Sequence, residues 1–168
     1  MIEVIVKRNG NKEEFNPKKL NGWGIWASKA LGNYVDWSEV VLHVASTLST
    51  EVTSEKLQQA LIDFCLSKSS WSYNRMAGRL YAALLYKQLY NDNIPTVKDL
   101  FGKMVTEGVM DNKFYTAFTD EDYKQLESVI DHKRDLNYAH YQINQSVKKY
   151  ALMNRSASIN YETPQFSM

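Results

Sequence analysis

The chain has 168 residues, of which 44% are hydrophobic and 12% aromatic, and its formal net charge is +1. That content is enough to build a folded core, in one domain or two small ones. Because the charge is close to zero, the composition excludes the broad positive field with which proteins bind duplex DNA or anionic membranes. We therefore expect neither a nucleic-acid nor a membrane partner, and any phosphate site must be local.

Thiol chemistry is limited by a single cysteine, Cys65. One cysteine excludes an internal disulfide, a CxxC redox pair and a cysteine-rich zinc site. The sequence contains no apolar run of about 18 residues that would span a membrane, and its start lacks the basic and then apolar pattern of a signal peptide. The expected location is therefore the cytoplasm.

The chain opens with a predicted β-hairpin. Residues 2–7 are rich in β-branched side chains, and residues 12–15 form the second strand. Between them, Asn9-Gly10 is the residue pair favoured in a type I′ turn. The hairpin is expected to lead directly into a helix.

Four helices and a small β cap are predicted for the first ninety residues. The first helix begins at Pro17, with Asn16 as its N-cap, and ends near Leu31 because Gly32-Asn33 supplies a stop. The apolar spacing then predicts a helix from Asp36 to about Ser49, a strand over 50–52, a helix capped by Thr53 or Ser54, and a helix from Trp71 to about Tyr90.

A domain boundary is predicted at residues 91–95, where turn residues and a proline separate two periodic segments. The fold class is then mainly α: a domain over 1–92 with four helices and a three-stranded cap, and a short helical segment over 93–168. In the second part, helices are expected from Thr96 to near Gly108, from Thr119 through Ile130 and over 136–150, and residues 151–168 are expected to be loose.

Lysines lie at both ends of the opening unit. A hairpin folded over the start of the first helix would bring Lys7 and Lys19 to one polyphosphate, and free N–H groups at the helix start would add to the site. Charge-assisted hydrogen bonds contribute roughly 1.5 to 3 kcal/mol each, so a few of them suffice for micromolar binding. The alternative is that these lysines, with Lys18, are solvated surface charges.

Neither standard phosphate-binding loop is present, because the sequence contains no GxxxxGK[ST] and no GxGxxG. A different resemblance covers residues 1–92. The residues that carry it are Val6-Lys7-Arg8-Asn9-Gly10, Phe15-Asn16-Pro17, Lys19-Leu20, the Thr53-Ser54 helix start, and Tyr73 to Leu80 leading to Lys87. In this order they resemble the ATP-cone, a small regulatory nucleotide-binding domain.

The second part of the chain has a related resemblance. Its residues are Asp111-Asn112, Tyr123, Ile130 to Asp135, Lys149-Tyr150 and Tyr161 to Phe166. They resemble the segment after the cone in the large subunit of class I ribonucleotide reductases, with the bacterial and T4-like phage enzymes the most similar. In that family, Glu162-Thr163-Pro164-Gln165-Phe166 begins the passage into the catalytic barrel.

The resemblance implies an allosteric site for ATP or dATP, with Mg. Lysines would hold the phosphates, and Glu13 with the backbone up to Lys19 would surround the base and sugar. The implied nucleotide-binding residues are Lys7, Glu13, Glu14, Phe15, Asn16, Pro17, Lys18, Lys19, Ser54 and Lys87. Shifting the gap by one residue would put Thr53 in place of Ser54, and Gln58 stands where the bacterial enzymes have a histidine near the base.

The implied role is control of the overall activity with which ribonucleoside diphosphates are reduced to deoxyribonucleotides for DNA replication. The family's reaction needs at least three cysteines, so this chain is not expected to be catalytic alone or to hold a redox cofactor. Its expected partners are the remaining catalytic part and the radical-generating small subunit, in an oligomer, in the host cytoplasm if phage-encoded. Three origins of the chain stay open: a split-gene product, a truncated reading frame and an expression fragment. The alternative is a stand-alone nucleotide sensor or assembly protein built on an intact or degenerate cone.

Four other residues receive structural interpretations. His132 lies among alternating charges and is expected at the surface or in an ion pair. Cys65 is expected to be a small buried hydrophobe. His43 and His140 have no carboxylate or thiol at ligand spacing, so no metal site is expected.

Overall fold

The computed structural model describes residues 2–91 and 93–167, and it forms two compact units. The first comprises the residues up to Leu84 together with Asn137–Tyr141, and the second comprises Leu85–Leu136 and the residues from Gln142 on. The mainly helical class with a small three-stranded sheet is confirmed. A domain boundary after residue 92 stays a prediction.

A three-stranded sheet covers one end of the first unit. Its strands are β1 (Val4–Val6), β2 (Lys12–Glu14) and β3 (Glu51–Thr53), in the order β2-β1-β3. β1 is antiparallel to β2 and parallel to β3, so that Ile5 lies between Glu13 and Val52. Ile5 and Val52 are buried and pack together, which anchors the predicted hairpin.

The turn at the tip of the hairpin differs from the predicted type I′. That type needs positive φ at both central residues, but of Asn9 and Gly10 only the glycine has it, at +82°. Gly10 N–H donates to the Lys7 carbonyl at 2.9 Å, and Lys7 N–H donates to the Asn11 carbonyl at 2.8 Å. This is the three-residue loop in which a left-handed glycine follows a type I turn, and Asn9 is spared the strained conformation.

The four predicted helices of the first ninety residues are confirmed. They are α1 (Pro17–Ser28), α2 (Trp37–Thr47), α3 (Ser54–Ser67) and α4 (Trp71–Tyr90). α1 ends three residues before the predicted Leu31, because Ala30 adopts a left-handed φ of +64° and breaks the helix ahead of the 3-10 turn Gly32–Tyr34.

The core of the first unit lies between these helices. Val40, Leu61, Met76 and Leu80 are fully buried in it, and truncating such side chains to alanine typically costs 2–5 kcal/mol, about a third of a domain's stability. Cys65 is also buried, and burial raises the pKa of its thiol to about 12. Its interpretation as a small core hydrophobe is confirmed.

The second unit contains the last turns of α4 and four shorter helices. These are α5 (Val97–Thr106), α6 (Asn112–Thr116), α7 (Asp120–Val129) and α8 (His140–Lys149), of which α8 begins in the first unit. The Thr96 and Thr119 caps are confirmed, the latter as a complete capping box. α6 was not predicted, and the predicted helix over 136–150 begins only at His140, after a 3-10 segment over His132–Asn137.

The expectation that residues 151–168 are loose is wrong for most of this segment. It contains a small hairpin of β4 (Met153–Asn154) and β5 (Ile159–Asn160), and residues 161–165 are buried. The Tyr90 hydroxyl donates to the Tyr161 carbonyl at 2.8 Å and accepts from the Thr163 N–H at 3.3 Å. Partners within the chain therefore hold this segment.

His132, which was expected at the surface or in an ion pair, contacts two aromatic side chains. It is half-buried in the second unit, its Nδ1 lies 3.1 Å from the Tyr86 hydroxyl, and its ring packs against Phe166. Among the described residues, no group of three or more His, Cys, Asp or Glu side chains is placed to hold a metal ion. Within the same residues, no helix is both long and apolar enough to cross a membrane.

Candidate nucleotide-binding site

A pocket of about 100 Å³ opens in the first unit where β1, β2 and the first turns of α1 and α3 meet. It is lined by Ile5, Lys7, Glu13, Phe15, Asn16, Lys19, Leu20, Trp23, Ser54 and Leu57. Pockets that enclose a whole small-molecule ligand usually measure about 300–1,000 Å³. This pocket is large enough to enclose only part of a nucleotide, and the rest would lie across its rim.

Half of the lining is apolar. Phe15 and Leu57 are half-buried and pack against both core clusters of the first unit. Leu20 and Trp23 lie one helical turn apart on α1, and Ile5 lies on β1. Apolar and aromatic side chains offer a surface on which a planar ring can stack. Only Phe15 of these five was predicted, because the sequence alone does not show which apolar side chains of β1, α1 and α3 border a pocket.

The charged part of the lining consists of two lysines and one glutamate. Lys7 Nζ lies 2.8 Å from Glu13 Oε1, and Lys19 Nζ lies 3.1 Å from Oε1 and 3.2 Å from Oε2. Hydrogen bonds from Lys7 and then Lys19 hold the pKa of the Glu13 carboxyl below its usual value. The pocket therefore carries two positive charges and one negative charge at neutral pH.

Strand alternation explains which acidic residue reaches the pocket. Successive side chains of a strand point to opposite faces, and Glu13 pairs directly with Ile5 of β1, which also lines the pocket. Lys7 follows Ile5 by two residues and has the same facing. Glu14 is exposed, and the structure does not place it among the lining residues that it describes.

Backbone N–H groups at the start of α1 already have hydrogen-bond acceptors within the chain. Asn16 Oδ1 accepts the Lys18 N–H at 2.9 Å, the Asn16 carbonyl accepts the Lys19 N–H at 3.0 Å, and Pro17 has no N–H. The predicted free N–H groups are therefore occupied at these positions, although the positive end of the helix dipole remains. Pro17 and Lys18 are exposed and, within the described part of the chain, do not line the pocket.

Thr53 and Ser54, the two alternatives for the hydroxyl of the site, occupy different positions at the start of α3. Thr53 is the N-cap, and its Oγ1 accepts the Lys56 N–H at 3.1 Å. Ser54 is the residue that lines the pocket. Gln58, one turn later, is 2% exposed, and its Nε2 donates to the Leu80 carbonyl at 2.7 Å. The Gln58 side chain is therefore part of the buried interior of the first unit.

The sequence-predicted residues therefore fall into three groups. Six of them line the pocket: Lys7, Glu13, Phe15, Asn16, Lys19 and Ser54. Glu14, Pro17 and Lys18 lie beside it on the same elements. Lys87 is half-buried on α4 in the second unit, and its role in nucleotide binding stays a prediction.

Comparison with known proteins agrees with this geometry. Residues 3–92 match the ATP cone domain family, which is more than half of the chain. The chain is 32% identical over 168 residues to the ribonucleoside-diphosphate reductase 1 subunit alpha of Escherichia coli, and 31% identical over 166 residues to the subunit alpha of Buchnera aphidicola from Schizaphis graminum. The subunit alpha of Enterobacteria phage T4 is 27% identical over 167 residues.

These alignments cover nearly all of this chain but a small part of each relative. They take in 96–97% of the chain and 22% of each relative, in the N-terminal region of those subunits. The pocket, its two lysines and its apolar wall all lie inside the matched span of residues 3–92. The chain belongs to the ATP-cone domain family.

Proposed function

We propose that the pocket binds an adenine nucleotide, ATP or dATP, as an allosteric effector. The observation that carries this proposal is the placement of two lysines, Lys7 and Lys19, beside an apolar wall that includes Phe15 and Trp23, within the span that matches the ATP cone domain. An aromatic wall next to paired cations suits a ligand with a planar ring at one end and phosphates at the other.

In this arrangement the adenine ring packs on Phe15 and Trp23, and the phosphates extend across the rim toward the lysines. We expect the hydroxyl of Ser54, which lines the pocket at the start of α3, to form a hydrogen bond with the nucleotide as donor or acceptor. Mg would be carried in by the nucleotide as part of its phosphate complex. Among the lining residues that the structure describes, the one carboxylate is Glu13, which is already paired with both lysines, so the ligands of the ion would come from the phosphates and water.

The second part of the proposal concerns the larger protein. The chain matches the N-terminal region of reductase alpha subunits over almost its whole length, and the effector site then regulates the reduction of ribonucleotides. The remaining catalytic part and the small subunit are the proposed partners. Regulation requires ATP and dATP to favour different states, since a ligand shifts an equilibrium only by its difference in affinity for the two.

Titration calorimetry of the 168-residue chain with ATP and with dATP tests the binding proposal. Replacement of Lys19 by methionine removes one exposed cation of the pocket, so K19M should weaken ATP binding by about two- to fivefold. K18M is the matched control, because Lys18 is the next residue along α1 but is exposed outside the pocket. Saturable binding that K19M leaves unchanged would contradict the assigned site. Absence of binding at millimolar nucleotide would favour the degenerate cone.

A further inference from the structure

The carboxylate of Glu13 occupies the position between the two lysines that the phosphates need. It accepts from Lys7 Nζ at 2.8 Å and from Lys19 Nζ at 3.1 and 3.2 Å. Of the three side chains, Glu13 is the least exposed, at 33% against 40% for Lys7 and 63% for Lys19. Both cations of the pocket are therefore already paired with an anion that belongs to the chain.

A polyphosphate and this carboxylate compete for the same donors. A phosphate that accepts from both ammonium groups must displace Glu13 from at least one of them. If the carboxylate stayed, two anions would lie a few ångströms apart on one pair of cations, and like charges at that distance repel. Binding thus exchanges one ion pair for another, and the gain depends on the charge that the ligand brings.

We propose that Glu13 is an internal competitor of the phosphates: its carboxylate pairs with the two lysines, so that a ligand must carry enough negative charge to displace it. The proposal rests on the proposed nucleotide function and deepens it, because it assigns the pocket a preference by anion charge. Ligands with two or more phosphates displace the carboxylate efficiently, whereas monophosphates and nucleosides do not.

Inorganic tripolyphosphate is the probe that isolates this role, because it has no base or sugar that Glu13 could contact in another way. The variants are E13Q, which keeps the shape and removes the charge, and E14Q, which removes the neighbouring charge outside the pocket. E13Q removes both ion pairs that the ligand has to break. Calorimetry should therefore show tripolyphosphate binding to E13Q about three- to tenfold more tightly than to the natural chain, with E14Q unchanged.

The thermal midpoint separates competition from a structural role. Without ligand, E13Q leaves two lysines facing each other, so its midpoint should equal or fall below that of the natural chain. With tripolyphosphate, the increase in midpoint should be larger for E13Q than for the natural chain. A structural role alone would lower the midpoint with and without ligand and leave the increase no larger.

The outcomes distinguish this inference from the function on which it rests. If the natural chain binds ATP but E13Q binds tripolyphosphate no more tightly than the natural chain, Glu13 is not a competitor although the pocket is a nucleotide site. If E13Q gains tripolyphosphate binding and neither protein binds ATP, the competition stands and the nucleotide function is wrong. If neither protein binds either ligand, both proposals are wrong.

Discussion

A single carboxylate of the second unit departs most from ordinary solution behaviour. Asp135 is 0% exposed, and its Oδ2 accepts the Tyr86 hydroxyl proton at 2.7 Å. Burial raises the pKa of this carboxyl to about 6, outweighing the hydrogen bonds from Tyr86, from the Gln165 backbone and from Thr163. At neutral pH the second unit therefore holds a negative charge that its surroundings disfavour.

The stability contribution of Asp135 should depend on pH with a definite sign. Because its folded pKa lies above the ordinary value of 3.8, the favourable contribution is complete below pH 4 and is lost as the pH rises through about 6. D135N keeps an acceptor for Tyr86 and removes the charge. Chemical denaturation at pH 7 should show D135N more stable than the natural chain by about 1–3 kcal/mol, a gain that disappears near pH 4.

The control for this comparison is D131N, which changes an exposed carboxylate in the same part of the chain. Asp131 Oδ1 accepts the Lys133 N–H, and asparagine preserves that acceptor. Because Asp131 is exposed, D131N removes no buried charge and should not reproduce the stabilisation expected for D135N at pH 7. A D135N variant that is equally or less stable at pH 7 would mean that its hydrogen bonds outweigh the burial of the charge.

At the residue scale, the sequence predicts contacts between residues that are close in the chain and misses contacts between residues that are far apart in it. The helix caps Asn16 and Thr119 can be predicted from the sequence, because each side chain accepts a hydrogen bond from an N–H group two or three residues away. The burial of Asp135 depends on Tyr86, 49 residues earlier. The pocket wall is a similar case, since Trp23 and Leu57 meet only when α1 and α3 have folded.

One glycine of α4 marks the tightest approach between elements of the first unit. A Cβ built on Gly78 would lie 2.2 Å from the Tyr138 carbonyl oxygen and 2.8 Å from backbone atoms of Ala139 and His140. Real Cβ atoms do not come that near to backbone, so the start of α8 rests on α4 only because residue 78 has no side chain. The sequence alone offered no reason for this glycine.

G78A should therefore destabilise the chain although alanine is the better helix former. The clash is with backbone, which cannot rotate away, and overpacking of this kind typically costs about 1–3 kcal/mol. G22A is the matched control, since Gly22 lies within α1 with nothing within 4 Å of its added Cβ. Thermal unfolding should show a lower free energy of unfolding for G78A than for the natural chain. For G22A, the free energy of unfolding should be higher by about 0.5–1 kcal/mol. If both variants were stabilised, the close approach of Tyr138 to α4 would be wrong.

Elements were predictable where a cap and a sustained apolar period coincide. α2, α3, α5 and α7 satisfy that condition and were found at the predicted places. α6 has five residues, too few to display a period. The segment over 161–165 contains no period because it is held by side chains of α4, such as Tyr90, rather than by its own repeat.

At the scale of the whole molecule, the two units contain different features. The first unit contains the pocket, whose lining residues all lie within the span that matches the ATP cone domain. The second contains the buried Asp135 and the segment over 161–165, with no lining residue of the pocket among those described. The described lining of the pocket therefore lies in the first unit, and the predicted contribution of Lys87, on the part of α4 that belongs to the second unit, stays a prediction.

Nuclear magnetic resonance of the isotope-labelled 168-residue chain, titrated with ATP, tests the central claim most directly. Saturable shifts of backbone amide signals are expected on β1 and β2, on the first turns of α1 up to Trp23, and around Ser54 and Leu57. Signals of α5 to α7 should stay in place. Shifts confined to α5–α7, or none at millimolar ATP, would contradict the assignment of this pocket as the effector site.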